Sequence, residues 1–89
     1  MLEQIKDEIL ARGDYAVKIH KNDFTQSLVV DIENESDIAR FTLWDDGSCM
    51  MEIIDVASGQ YILDERRTLL DMAEIIACFN MFIAVLAED

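Results

Sequence analysis

Arg40-Phe41-Thr42-Leu43-Trp44-Asp45-Asp46-Gly47-Ser48-Cys49-Met50-Met51-Glu52-Ile53-Ile54-Asp55 contains two runs of alternating side-chain character on either side of Asp45-Asp46-Gly47. Alternation with a period of two marks a strand with one buried face, and an Asp/Gly cluster between two such runs marks a hairpin. The length of the loop decides which face is which. With a three-residue loop, Asp45-Asp46-Gly47, and Gly47 in the left-handed region, Trp44 lies opposite Ser48 and Thr42 opposite Met50. Arg40 then faces Glu52, and Ile38 faces Ile54. The other face collects Ala39, Phe41, Leu43, Cys49, Met51 and Ile53, all apolar. A two-residue loop would instead carry Glu52 into that face beside Phe41 and Leu43, and burying an unpaired carboxylate costs several kcal/mol. The three-residue loop is therefore expected. It makes Arg40 and Glu52 a cross-strand pair, worth ~0.2–1 kcal/mol on an exposed face.

The same reasoning extends outward in both directions. A turn at Ala57-Ser58-Gly59 pairs Ile53 with Leu63 on the core face and Ile54 with Ile62 on the outer face. Upstream, Leu28, Val30 and Ile32 alternate with Val29, Asp31 and Glu33, giving a strand that ends in the turn Asn34-Glu35-Ser36. Tyr15, Val17 and Ile19 alternate with Ala16, Lys18 and His20 in an earlier strand, with a loop around Lys21-Asn22-Asp23 after it. Leu2 to Arg12 reads as a helix whose stripe is Leu2, Ile5, Ile9 and Leu10, with Gly13 as its C-terminal stop. At the other end, Thr68 reads as an N-cap with Asp71 three residues on. From Leu69 to Ala87 the chain is helical and apolar nearly all round, a pattern that needs cover on more than one side. The expected fold is α+β: a two-layer sandwich with a five-stranded antiparallel meander sheet flanked by an N-terminal helix and a long C-terminal helix, in a single domain, 1–89.

Composition narrows the function. Eighty-nine residues suit one small domain, and with 52% apolar residues the chain can bury a core. Nineteen acids against seven bases leave a formal charge of −12, which repels nucleic acid and anionic membrane and steers toward basic partners. The same acids also keep a very apolar chain dissolved. Cys49 and Cys78 stand far apart at apolar positions, so the expectation is two buried free thiols in a reducing cytoplasm. No basic segment precedes an apolar run in the manner of a signal peptide, and the longest apolar run, Ile75 to Ala87, contains Asn80 and is too short to span a bilayer.

No catalytic arrangement stands out. His20, the lone histidine, reads as a surface residue beside Lys18. Asp31, Glu33, Glu35 and Asp37 alternate as in a calcium loop, but Ser36 stands where the sixth-position glycine belongs and Thr42 where the twelfth-position glutamate belongs. The run reads instead as a solvated acidic edge, with Asp31 and Glu33 on a strand face and Glu35 and Asp37 in the turn. Gly13, Gly47 and Gly59 punctuate turns and build no phosphate loop, and the few bases make no nucleic-acid stripe. The chain is read as non-enzymatic, with no catalytic residue, metal or cofactor. What remains is the outer sheet face of Ile38, Arg40, Thr42, Trp44, Met50, Glu52, Ile54, Ile62 and Asp64, an interface-like core with a charged rim. A protein partner, a second copy or the N-terminal helix could each cover it. Trp44 and Met50 are the expected apolar anchors, with Asp45, Asp46, Glu52 and Asp64 as the acidic rim; Asp31, Glu33 and Glu35 form a second candidate surface.

From Ala39 to Asp55, followed by Ser58-Gly59 and an amphipathic C-terminal helix, the chain resembles the TriTu family, small immunity proteins of bacterial polymorphic toxins. The resemblance rests on an aromatic-ended strand at Trp44, the Gly47-Ser48 turn, a strand containing Glu52 and the second glycine turn, over roughly residues 38 to 86. It implies a cytoplasmic antidote that binds a cognate toxin with a basic cleft. In that family the toxin is an ADP-ribosyltransferase delivered by an Rhs effector of type VI secretion and acting on elongation factor Tu. The expected state is a monomer or weak homodimer, without nucleic acid or membrane. A small acidic secretion chaperone is the competing reading, since it shares the size, the charge and the α+β make-up.

Overall fold

The computed structural model describes residues 1–88; Asp89, the last residue of the expected domain, lies outside them. The chain runs α1 (Leu2–Leu10), β1 (Ala16–Lys21), β2 (Gln26–Glu33), β3 (Asp37–Trp44), β4 (Ser48–Asp55), β5 (Tyr61–Thr68) and α2 (Met72–Glu88). All five strands join in one antiparallel sheet in the order β1-β2-β3-β4-β5. This is the α+β meander expected from the alternating runs.

The β3–β4 turn sets the register. Gly47 N–H donates to the Trp44 carbonyl at 3.1 Å, closing a turn over Asp45 and Asp46, and Gly47 adopts φ +90°. Pairing then proceeds from Leu43 with Cys49 through Arg40 with Glu52 to Ile38 with Ile54, as the three-residue loop requires. Phe41, Leu43, Cys49, Met51 and Ile53 are fully buried on the inner face and Ala39 nearly so. Gly47 serves a second purpose: its carbonyl accepts the Leu69 N–H at 2.8 Å, tying the segment after β5 to the hairpin. A Cβ at this position would collide with the Leu69 carbonyl oxygen.

Both helices lie on the inner face. Leu2, Ile5 and Ile9 of α1 share one buried cluster with Leu28 and Val30 of β2 and with Ile75, Cys78, Phe79, Phe82 and Leu86 of α2. Phe79 is the hub, with edge-on contacts to Phe41 (5.3 Å between centroids) and Tyr15 (5.4 Å). Such pairs add ~0.5–1.5 kcal/mol each beyond area burial. The apolar character all round α2 resolves simply. Ile75, Cys78, Phe79, Phe82 and Leu86 are its buried side, and its exposed residues are Ala73, Glu74, Ala77, Asn80, Ala84, Ala87 and Glu88.

Local expectations are corrected at several places. Thr68 closes β5, and Asp71 is the N-cap of α2: its Oδ1 accepts the Glu74 N–H at 2.9 Å and its carbonyl the Ile75 N–H at 3.1 Å. The chain between them must pass Leu69 beneath Gly47, which delays the helix to Met72. Gly13 is not a left-handed stop, since positive φ is confined to Gly47 and Gly59 among the described residues; a Cβ on Gly13 would press on the Tyr15 ring at 3.1 Å. Leu10 is 44% exposed and leaves the apolar stripe. The β4–β5 register also shifts. Ile53 pairs with Leu63 as expected, but Ile54 pairs with Tyr61 through a bulge, so Ile62 has no partner of its own. Asp37, expected in the turn, begins β3 and is buried.

Two substitutions separate the roles of the turn glycines. Gly59 is at φ +71° with open space around it, so Gly59→Ala is expected to cost ~1–2 kcal/mol, the penalty of a Cβ in the left-handed region. Gly47→Ala adds a backbone collision and is expected to cost distinctly more. Urea midpoints give the order, and equal midpoints would contradict it.

The thiols make a second test. Burial, and then the neighbouring Cys78, push the Cys49 thiol up to about 12 from an ordinary 9.0; burial also raises Cys78. Unfolded thiols ionise first, so the native state holds more protons within that window and its stability falls as pH rises across it. Cys49→Ala is expected to flatten the decline in denaturant titrations from about pH 8 to about pH 11. An unchanged slope would count against this account.

Candidate partner-binding face

Partners in an antiparallel ladder project to the same side of a sheet, so the strand registers chain into rows across the outer face. One row reads Ala16, Asp31, Arg40, Glu52, Asp64. Its neighbour toward the β3–β4 turn reads Lys18, Val29, Thr42, Met50, Arg66, and beyond it lie His20, Ser27 and Trp44. In the opposite direction the row is Glu33, Ile38, Ile54, Tyr61. With both helices on the inner face, no described element of the chain covers these rows, and the N-terminal helix is excluded as their cover.

The acidic residues divide into two kinds. Asp31 and Glu33, expected as a separate surface, lie in register with Arg40 and Ile38 and so belong to the same face as Glu52 and Asp64. Arg40 turns to Asp31 and not to its cross-strand neighbour Glu52: its Nε donates to Asp31 Oδ1 at 2.7 Å. Asp31 is also the main cause of a raised Arg40 pKa, with Glu52 a lesser one. Asp31 and Glu52 flank Arg40 on either side in the same row, and the hydrogen bond goes to Asp31. With side chains 56% and 52% exposed, the pair contributes only ~0–1 kcal/mol.

Asp45 and Asp46 are of the second kind, being exposed yet engaged with backbone. Asp45 Oδ2 accepts the Gln26 N–H at 2.9 Å while the Asp45 N–H donates to the Gln26 carbonyl at 3.0 Å, joining the β3–β4 loop to the start of β2. Asp46 Oδ1 accepts the Ser48 N–H at 2.8 Å. These carboxylates build the turn as well as rimming the face. Glu35 stands apart in the exposed turn between β2 and β3, beyond the end of the rows.

Trp44 and Met50 are each half-buried. Trp44 borders a depression of about 250 Å3 with Thr25, Asp45, Asp46, Ser48 and Arg66, and Arg66 reaches the Met50 sulfur at 3.7 Å. The more exposed apolar side chains gather at the other end of the face. Ile38 is 48% exposed, Tyr61 54% and Ile62 38%, and Ile38 and Ile54 line a second depression of about 170 Å3 with Asp31, Ala39, Arg40 and Glu52. Tyr61 is not marked in the sequence, because the bulge that brings it opposite Ile54 leaves no sign in the alternation. Among the described residues no group of three or more His, Cys, Asp or Glu side chains is disposed to hold a metal ion, and no helix is long and apolar enough to cross a membrane.

The turn carboxylate gives a direct readout. The Ser48 N–H holds the Asp46 carboxyl below its ordinary 3.8. Ionised Asp46 therefore supports the turn at higher pH, and that support is lost as pH falls through the lowered value. The Ser48 amide proton shift is expected to titrate below 3.8 in the native chain and not at all in Asp46→Asn. NMR through an acid titration checks both.

The sequence model of the family described as "Immunity protein TriTu" matches residues 2–85, a span that includes α1, all five strands and α2 up to its last residues. It extends well upstream of the hairpin that carries the resemblance. No curated protein matches the chain.

Proposed function

We propose that this chain, which belongs to the TriTu immunity protein family, neutralises a cognate toxin by laying its open sheet face over the toxin's active-site cleft. The family match over nearly the whole chain carries this reading. Immunity is exerted by binding, and the fold suits such a role because its two helices share one side of the sheet and leave the other free. The toxin is an ADP-ribosyltransferase domain of an Rhs-type effector, met in the cytoplasm, and its cleft is rimmed by basic groups. Asp31, Glu33, Glu52 and Asp64 face that rim, and Met50 and Trp44 lie within the same footprint. A net charge of −12 draws such a cleft in from a distance, which raises the association rate more than the affinity itself. The chain acts as a monomer or weak homodimer and performs no reaction.

Co-expression with its cognate toxin domain is expected to restore growth. In vitro, transfer of ADP-ribose is expected to stop at one equivalent of the antidote. The association rate is expected to fall steeply with added salt, as for other electrostatically steered pairs. Growth arrest undiminished by co-expression would reject the reading.

A further inference from the structure

The exposed apolar side chains of the outer face are concentrated where β5 departs from regular pairing. Ile38 and Ile54 are register partners, and the bulge sets two β5 residues, Tyr61 and Ile62, against the one Ile54. The Val56 N–H donates to the Ser36 carbonyl at 2.9 Å, which holds Val56, itself 50% exposed, at the same end of the sheet. A regular ladder would have matched Ile54 with Ile62 alone and moved Tyr61 out of register with it. The bulge thus enlarges an apolar surface at the expense of a ladder position, a use typical of bulges beside functional sites. The adjoining row supplies a rim of Asp31, Glu52 and Asp64, in which the lone cation, Arg40, is already held by Asp31 at 2.7 Å.

From this we infer that the affinity of the toxin contact is centred on Ile38, Ile54, Tyr61 and Ile62, and that the partner offers an apolar pocket bordered by basic side chains. The inference rests on the neutralisation reading and moves its anchor away from Trp44 to the opposite end of the face. Apolar side chains surrounded by a charged, solvated ring are the arrangement in which a few residues carry most of a binding energy. Charge selects the occupant. A second copy would bring Asp31, Glu52 and Asp64 against another acidic rim in a chain already at −12, whereas basic groups around a pocket complement them.

Binding of the purified toxin domain to the full-length chain tests this, with melting temperature measured alongside. Ile38→Ser and Tyr61→Ser are each expected to weaken binding by about tenfold or more, and their combination by about a hundredfold, with melting within a few degrees of the unaltered chain. Tyr61→Phe is expected to retain most of the affinity, and Trp44→Ala to lose less than either serine variant. The pair of reversals Glu52→Lys and Asp64→Lys is expected to slow association at low salt and leave dissociation nearly unchanged. Unaltered affinity in the double serine variant would overturn the placement while leaving neutralisation intact. So would a dimer of the unaltered chain that dissociates on Ile38→Ser, because the patch would then belong to a second copy. A chain that neither binds nor protects against the toxin would fail the neutralisation reading itself, and the placement of the anchor with it.

Discussion

The structure depends on one crowded backbone contact, the approach of Leu69 to Gly47. A residue with a side chain could not hold the positive φ there without strain, nor admit the Leu69 carbonyl beside it. That turn fixes the β3–β4 register, and the register decides for every residue from Ile38 to Ile54 whether it meets the helices or the solvent. The same glycine carbonyl then receives the Leu69 N–H. The end of the meander is thereby fastened to its centre before α2 starts back across the sheet. The positions of α2, of Phe79 within the core, and of the two separate faces all derive from that junction.

Much of this was legible in the chain, and for a definable reason. Alternating patterns report burial on one face, and Glu52 discriminated between loop lengths because only one of them kept a carboxylate out of the core. Features set by contacts between distant segments were not legible. Asp71 and not Thr68 caps α2, because Leu69 is claimed by Gly47, a demand that no local motif records. Arg40 bonds Asp31, an acid that the β2–β3 register, decided elsewhere, placed in its row on the side away from Glu52. The bulge at Ile62 left no trace in a run of apolar residues, so Tyr61 passed unnoticed while Trp44, conspicuous in composition, drew attention to the other end of the face. Asp45 and Asp46 looked like rim charges and are exposed as such, but their oxygens are also occupied in shaping the turn.

The outer face reconciles two opposing demands. An exposed group of isoleucine and tyrosine side chains invites association with anything apolar, including other copies. On the proposed reading, the acids that frame it repel those copies and leave basic partners favoured. Charge therefore acts here as a filter on encounters, and packing decides which of them persist.

The alternation along β3 and β4 has a consequence for how such a protein can change. Every second residue belongs to the core and the residues between, the buried Thr42 apart, belong to the open face, so the chain carries two interleaved messages with few shared letters. The outward message can be rewritten, row by row, while the inward one continues to specify the same sheet and helices. Asp45 and Asp46 are among the few positions read in both directions, and they are where such a rewriting would first meet resistance from the fold.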